Sequence, residues 1–235
     1  MSNIDKNSRV YAGDKFAITS TDGHKYQLII EPDDCPPDPR EGENLGTMLC
    51  CNARYHLGDC NSISEAEYQL AHLCQRYGKT DEDIDEMTYG DEIAYILSQD
   101  DICGMPLYIT DHSGLSMQTY RYDAWDSSFV GLIYTTKERY FTETCRKDTC
   151  DWKAEAKKIL DKEIATYSQY LEGDVVQYCL CEETIVTRTN RDGQILSQHT
   201  VYDEMVDSLG GLYNATLAEI EEYLPFYFAE IKQIG

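Results

Sequence analysis

The chain lacks most of the signatures that announce a chemistry or a destination. No run approaches the roughly twenty apolar residues of a membrane helix. The first residues, MSNIDKNSRVYAGDK, hold no apolar stretch of the secretory kind, so no secretory leader is expected. There is no G-x-x-x-x-G-K-[ST] and no G-x-G-x-x-G, which removes the two commonest phosphate-cradling loops. Cysteine occurs as Cys179-Leu-Cys181, Cys145-x4-Cys150, His56-x3-Cys60 and His72-Leu-Cys74, none of them the doubled C-x2-C of a zinc ribbon. No metal and no cofactor is therefore expected. Positive charge is scarce, with 20 Lys and Arg against 43 Asp and Glu.

What remains is acid and tyrosine. A net charge of −23 opposes direct binding to nucleic acid or to an anionic membrane, and favours a basic partner. Nineteen Tyr against five Phe suits half-buried surfaces and interfaces. At 42% hydrophobic, 235 residues suffice to bury a core. The chain is expected to be cytosolic, with its ten cysteines as thiols.

Strand and helix signals arrive in blocks. Phe16–Thr19 and Tyr26–Glu31 flank an Asp22-Gly23 turn and predict a hairpin. Four prolines between Pro32 and Pro39 exclude helix and central strand there, and Leu45–Cys51 reads as a return to strand. Ser64-Glu-Ala-Glu67 fits a capping box, and Ala66, Leu70, Leu73, Cys74 and Tyr77 form one apolar helical stripe that Gly78 ends. Thr80 caps a second helical stretch and Thr88 with Asp91 restarts it through Leu97. From Pro106, short β runs follow at Leu107–Thr110, Leu115–Tyr120 and Phe129–Thr135. Trp152–Leu171 reads as one long helix, Val175–Thr189 and Gln194–Tyr202 as a hairpin, and Ala215–Gln233 as a helix broken at Pro225. The expected class is α+β, with antiparallel sheet packed against several helices. A single domain over 1–235 is expected, with the helical segment 62–99 as a candidate insertion or subdomain.

Two sets of residues compete as a site. The first lies in TDEDIDEMTYGDEIAY, Thr80 to Tyr95, which has seven carboxylates and no Lys or Arg. Asp81, Asp83 and Asp85 have the spacing of a calcium loop, but Glu86 stands where such a loop needs glycine. On a helix, carboxylates three or four apart repeat every ~5–6 Å, in the range of phosphates along one DNA strand. Asp81, Glu82, Asp85, Glu86, Asp91 and Glu92 therefore make a candidate face for a basic partner. Asp203, Glu204, Asp207, Glu219, Glu221 and Glu222 form a second acidic region. An acidic face that serves only solubility is the plain alternative.

The second set lies in loops beside β segments, namely Arg40 and Asn44, Asp111 and His112, and Trp125 and Asp126. Asp111-His112-Ser113 is not a triad, because consecutive residues on a strand point to alternate faces, and Asp-His-Ser-Gly suits a turn. If the loops converge, Arg40 would clamp an anion while His112 and Asp126 exchange protons, as in a small-ligand binder or a hydrolase-like enzyme.

Four stretches carry a resemblance: PREGENLGTM from Pro39 with YHLGD from Tyr55; LYITDHSG from Leu107; WDSSFVGLIY from Trp125; and YSQYLEGDV from Tyr167. In this order they resemble a family of acidic, largely uncharacterised proteins of bacteriophages and mobile genetic elements. Glu43 stands where that family often has Asp, and Ser128 where it often has Gly. The resemblance supplies no catalytic residue. It implies a bacterial cytoplasmic setting and an antirestriction or anti-CRISPR inhibitor, acting by DNA mimicry on a host nucleic-acid-binding defence enzyme.

Overall fold

The computed structural model describes residues 5–112, 114–121, 126–145, 151–225 and 228–234. Among the described residues, six helices and nine strands in two antiparallel sheets make the fold α+β. The chain divides into two compact units, one formed by residues 1–37 and 173–235 and the other by 38–172. The second unit is thus inserted in sequence between two strands of the first. Among the described residues no helix is long and apolar enough to cross a membrane.

The discontinuous unit is a five-stranded sheet. β1 (Lys15–Ser20) and β2 (Lys25–Pro32) form the expected hairpin, and Gly23 takes the left-handed conformation (φ +94°) that its turn requires. β2 pairs with β7 (Val176–Thr189), and β7 with β8 (Ile195–Leu212). Alternation sorts Phe16, Ile18, Leu28, Ile30, Tyr178 and Leu180 onto a buried face, where Leu217 and Ile220 join the same core. The C-terminal segment departs from expectation. Among its described residues only α6 (Leu217–Tyr223) is helical, and residues 228–233 form β9 (Phe228–Gln233), antiparallel to β1. Edge pairing with a strand more than 200 residues away decides that conformation, and nothing local signals it.

The inserted unit is a four-stranded sheet in the order β3-β6-β4-β5, from β3 (Thr47–Cys50), β4 (Ile102–Asp111), β5 (Leu115–Gln118) and β6 (Ser127–Thr136). Both faces are covered. Met48, Met105, Leu107 and Ile133 pack with Leu160 and Ile164 of α5 (Trp152–Glu172). Leu49, Ile102 and Leu132 pack with Leu70 and Cys74 of α1 (Ile63–Arg76) and Ile93 and Ile96 of α3 (Tyr89–Leu97). Burial on both faces explains why Met48, Leu49 and Cys50 of β3 are apolar in succession and do not alternate. β4 begins four residues before Pro106, which falls where β5 does not reach. α1 is capped by Ser62, not Ser64: Ser62 Oγ accepts from Glu65 N, and Glu65 returns a bond to Asn61 N. A short α4 (Lys137–Thr144) follows β6 without having been anticipated.

Candidate functional site

The acidic stretch forms two short helices, not one continuous row. α2 (Asp81–Asp85) starts at Thr80 and α3 starts at Thr88, each with a reciprocal capping box. Thr80 Oγ1 accepts from Asp83 N at 3.2 Å, and Asp83 Oδ2 accepts from Thr80 N at 2.9 Å. Thr88 and Asp91 repeat the pattern at 3.2 and 3.0 Å. Donation from Thr80 N and Oγ1 holds the Asp83 carboxyl, and donation from Thr88 Oγ1 and N holds the Asp91 carboxyl, below the usual carboxylate range. Asp91 is therefore first a cap, although it stays exposed.

The other acids are less committed. Asp81 accepts from Gln75 Nε2 at 2.6 Å. Asp81 with Asp85, and Glu82 with Glu86, are four residues apart and exposed. Glu92 is half-buried, and burial followed by the nearby Glu67 carboxylate pushes its pKa up. Among the described residues, no Lys or Arg forms an ion pair with any of the seven carboxylates between Thr80 and Tyr95. The segment rests on a firm base: Ile93 and Ile96 are buried, and Tyr77 Oη donates to Asp101 at 2.8 Å.

The second acidic region does not lie on one helix. Asp203, Glu204 and Asp207 belong to β8, and Glu219, Glu221 and Glu222 to α6. Several of these acids have internal roles. Asp207 accepts from Tyr178 Oη, Glu219 closes the α6 capping box, and Glu221 pairs with Lys6.

The loop residues separate into two groups. Arg40 is structural. Its side chain is 3% exposed, Nε and Nη2 grip both oxygens of Asp59, Nη1 reaches Glu163 at 3.0 Å, and Nη2 also meets Gly46 O. A guanidinium so engaged offers no clamp to an outside anion, which corrects the role expected for it. Asn44 likewise turns inward, donating to Pro39 O and Gly42 O. Asp111, His112 and Asp126 do come together. His112 Nδ1 lies 3.3 Å from Asp126 Oδ2, and Asp111 N donates to Asp126 O. Trp125 lies outside the described residues.

Sequence reading missed two neighbours of Asp111. Arg54 Nη1 and Tyr55 Oη both donate to its Oδ2 at 2.6 Å. They stand more than fifty positions away, so no spacing rule finds them. Arg54 and Tyr55 also line a cleft of about 230 Å³ with Asn52, His56, Cys60 and Ser62. No three His, Cys, Asp or Glu side chains among the described residues converge to hold a metal ion. The chain matches no family model, no curated protein and no solved structure.

Proposed function

We propose that this is a phage or mobile-element accessory protein that binds the basic groove of a nucleic-acid-handling defence enzyme in the bacterial cytoplasm. One observation carries the reading: Asp81, Glu82, Asp85 and Glu86 are exposed, closely spaced and without a cationic partner among the described residues. Leaving like charges adjacent costs stability, so a protein that keeps them gains something from their field. A Lys/Arg groove that accepts phosphates would accept these carboxylates, and the protein would exclude DNA or guide RNA by occupancy. Competition tests this. The wild type should displace labelled DNA from a sensitive restriction or CRISPR enzyme. A variant with those four acids as amides should not, and the wild-type effect should fade with salt. Equal displacement by both would end the reading.

A second reading draws on the contact between His112 and Asp126. Asp126 Oδ1 is buried without a hydrogen-bond partner among the described residues, while His112 is 79% exposed beside it. A small polar ligand would satisfy that oxygen and meet the imidazole, giving a ligand-binding or acid–base site without Arg40. Loss of a ligand-dependent shift in His112 imidazole resonances on Asp126→Asn supports it. No such shift across a metabolite panel counts against it.

A further inference from the structure

A cleft of about 380 Å³ lies between the end of β8 and α6. Pockets that hold small molecules begin at roughly 300 Å³. Leu212, Tyr213 and Ala215 line it from the chain that leaves β8, and Glu219, Glu222 and Tyr223 line it from α6. Helical spacing gathers the second set. Leu217 and Ile220 turn into the core, so Glu219, Glu222 and Tyr223, at i, i+3 and i+4, share the exposed side.

Both walls are held in place without a ligand. Tyr213 Oη donates to Pro37 O at 2.7 Å, and Gly211 N to Asp33 Oδ2 at 2.7 Å. Val10 N donates to Ala215 O and Ala218 N to Lys6 O, which ties the connection between β8 and α6 to the N-terminal segment. Walls fixed in advance lose little freedom on binding. The charge in the cleft has one sign. Among the described residues no Lys or Arg lines it, and Lys6 is paired with Glu221. Glu219 Oε2 accepts from Thr216 N and Oγ1 in the α6 capping box. Glu222 is exposed and has no hydrogen bond or ion pair among the described residues. The field of a chain at −23 concentrates cations around such a cleft.

We propose that this cleft binds a small methylated ammonium of the choline type. Tyr213 and Tyr223 supply the aromatic rings that attract a cation, and Glu219 and Glu222 supply the opposite charge. Buried Leu212 and Ala215 supply apolar surface, which suits methyl groups and does nothing for a bare ion. A primary ammonium is strongly hydrated and brings three donors, and the Tyr213 hydroxyl is already engaged with Pro37. A metal ion finds too few ligands. Calcium takes roughly six to eight oxygens, and among the described residues no three His, Cys, Asp or Glu side chains converge to hold a metal. Aromatic walls, an apolar floor and carboxylates in one cleft thus select an organic cation over an inorganic one.

Titration of the full chain with choline chloride, followed by the methyl resonances of Leu212 and Ala215, tests the proposal. Sodium chloride holds the ionic strength constant. Saturable shifts with a Kd below about 10 mM are expected. The carbon analogue of choline, with a quaternary carbon in place of the nitrogen, should bind at least about tenfold more weakly. Glu222→Gln with Tyr223→Ser, both at exposed positions, should weaken choline at least about tenfold, and circular dichroism checks the fold. Asp192→Asn removes one exposed charge from the turn between β7 and β8 and should leave the Kd unchanged. Shifts that do not saturate by about 50 mM overturn the proposal, and so does equal affinity for the uncharged analogue or for the doubly substituted variant. Calcium chloride at about 5 mM that reproduces the choline shifts also overturns it, because the cleft would then serve a bare ion.

Discussion

Arg40 holds Asp59 by both carboxylate oxygens, Nε to Oδ1 at 2.7 Å and Nη2 to Oδ2 at 2.9 Å, while the same Oδ2 accepts from Met48 N. Glu163 completes the knot, taking Arg40 Nη1 on one oxygen and the Leu45 and Gly46 amides across both. One buried guanidinium thus fixes the chain on its way into β3 and ties it to α5. Arg40→Met leaves two carboxylates facing each other and should cost about 3–5 kcal/mol. Arg40→Lys should recover less than half, since an ammonium cannot form the fork. Urea unfolding of each variant reads both effects, and an Arg40→Met curve that overlays the wild type would remove the knot from the account.

Gly131 should be as intolerant as Arg40. It pairs with Cys50 where β3 crosses β6, and a Cβ there would overlap the Leu49 carbonyl oxygen. Gly131→Ala should force the two strands apart and cost about 3 kcal/mol or more. Gly114→Ala meets open space and should leave the unfolding midpoint within about 0.5 kcal/mol of the wild type.

The capping boxes give a pH signature. Asp83 and Asp91 have folded pKa values below their unfolded ones, so their contribution is present above the unfolded value, near pH 4, and is lost as pH falls through the folded values. Thr88→Ala removes the hydroxyl that donates to Asp91 Oδ2 at 2.6 Å, the larger of the two bonds that lower Asp91, and leaves the backbone one. It should drop the thermal midpoint by about 2–4 °C at pH 7, with a narrower gap near pH 3. A gap that widens on acidification contradicts this assignment.

Glu92 runs the opposite way. Its pKa is raised by burial and by Glu67, so its ionised form opposes folding, and the penalty grows as pH rises through the folded value. Glu92→Gln should raise the midpoint at pH 7 by only about 1 °C, because solvent screens a half-exposed group, and the gain should disappear at pH 3. Glu92 thus carries a strain that Asp81, Glu82, Asp85 and Glu86 do not, which is why the binding tests use those four.

Local signals made much of this fold legible. The β1–β2 hairpin, the α1 stripe, the Thr80 and Thr88 caps and the long α5 all follow from turn chemistry and periodicity within a few residues. Where two local solutions tie, sequence cannot choose. Ser62-x-x-Glu65 and Ser64-x-x-Glu67 both fit a capping box, and the helix starts at the first. Long-range pairing was hidden, so β9 read as helix and the last ten residues of β8 went unseen. The acids of the α2–α3 segment were plain because exposure of charge is the default. The inward role of Arg40 was not, since its partners lie 19 and 123 positions away.

The central claim is that the α2–α3 carboxylates occlude a defence enzyme. Plasmid protection tests it most directly, in cells carrying an active restriction or CRISPR system and expressing either the wild type or the variant with Asp81, Glu82, Asp85 and Glu86 changed to amides. The account predicts that the wild type protects the plasmid and that the variant, folded and equally abundant, does not. Protection by both proteins alike would contradict it and move attention to the loops around His112 and Asp126.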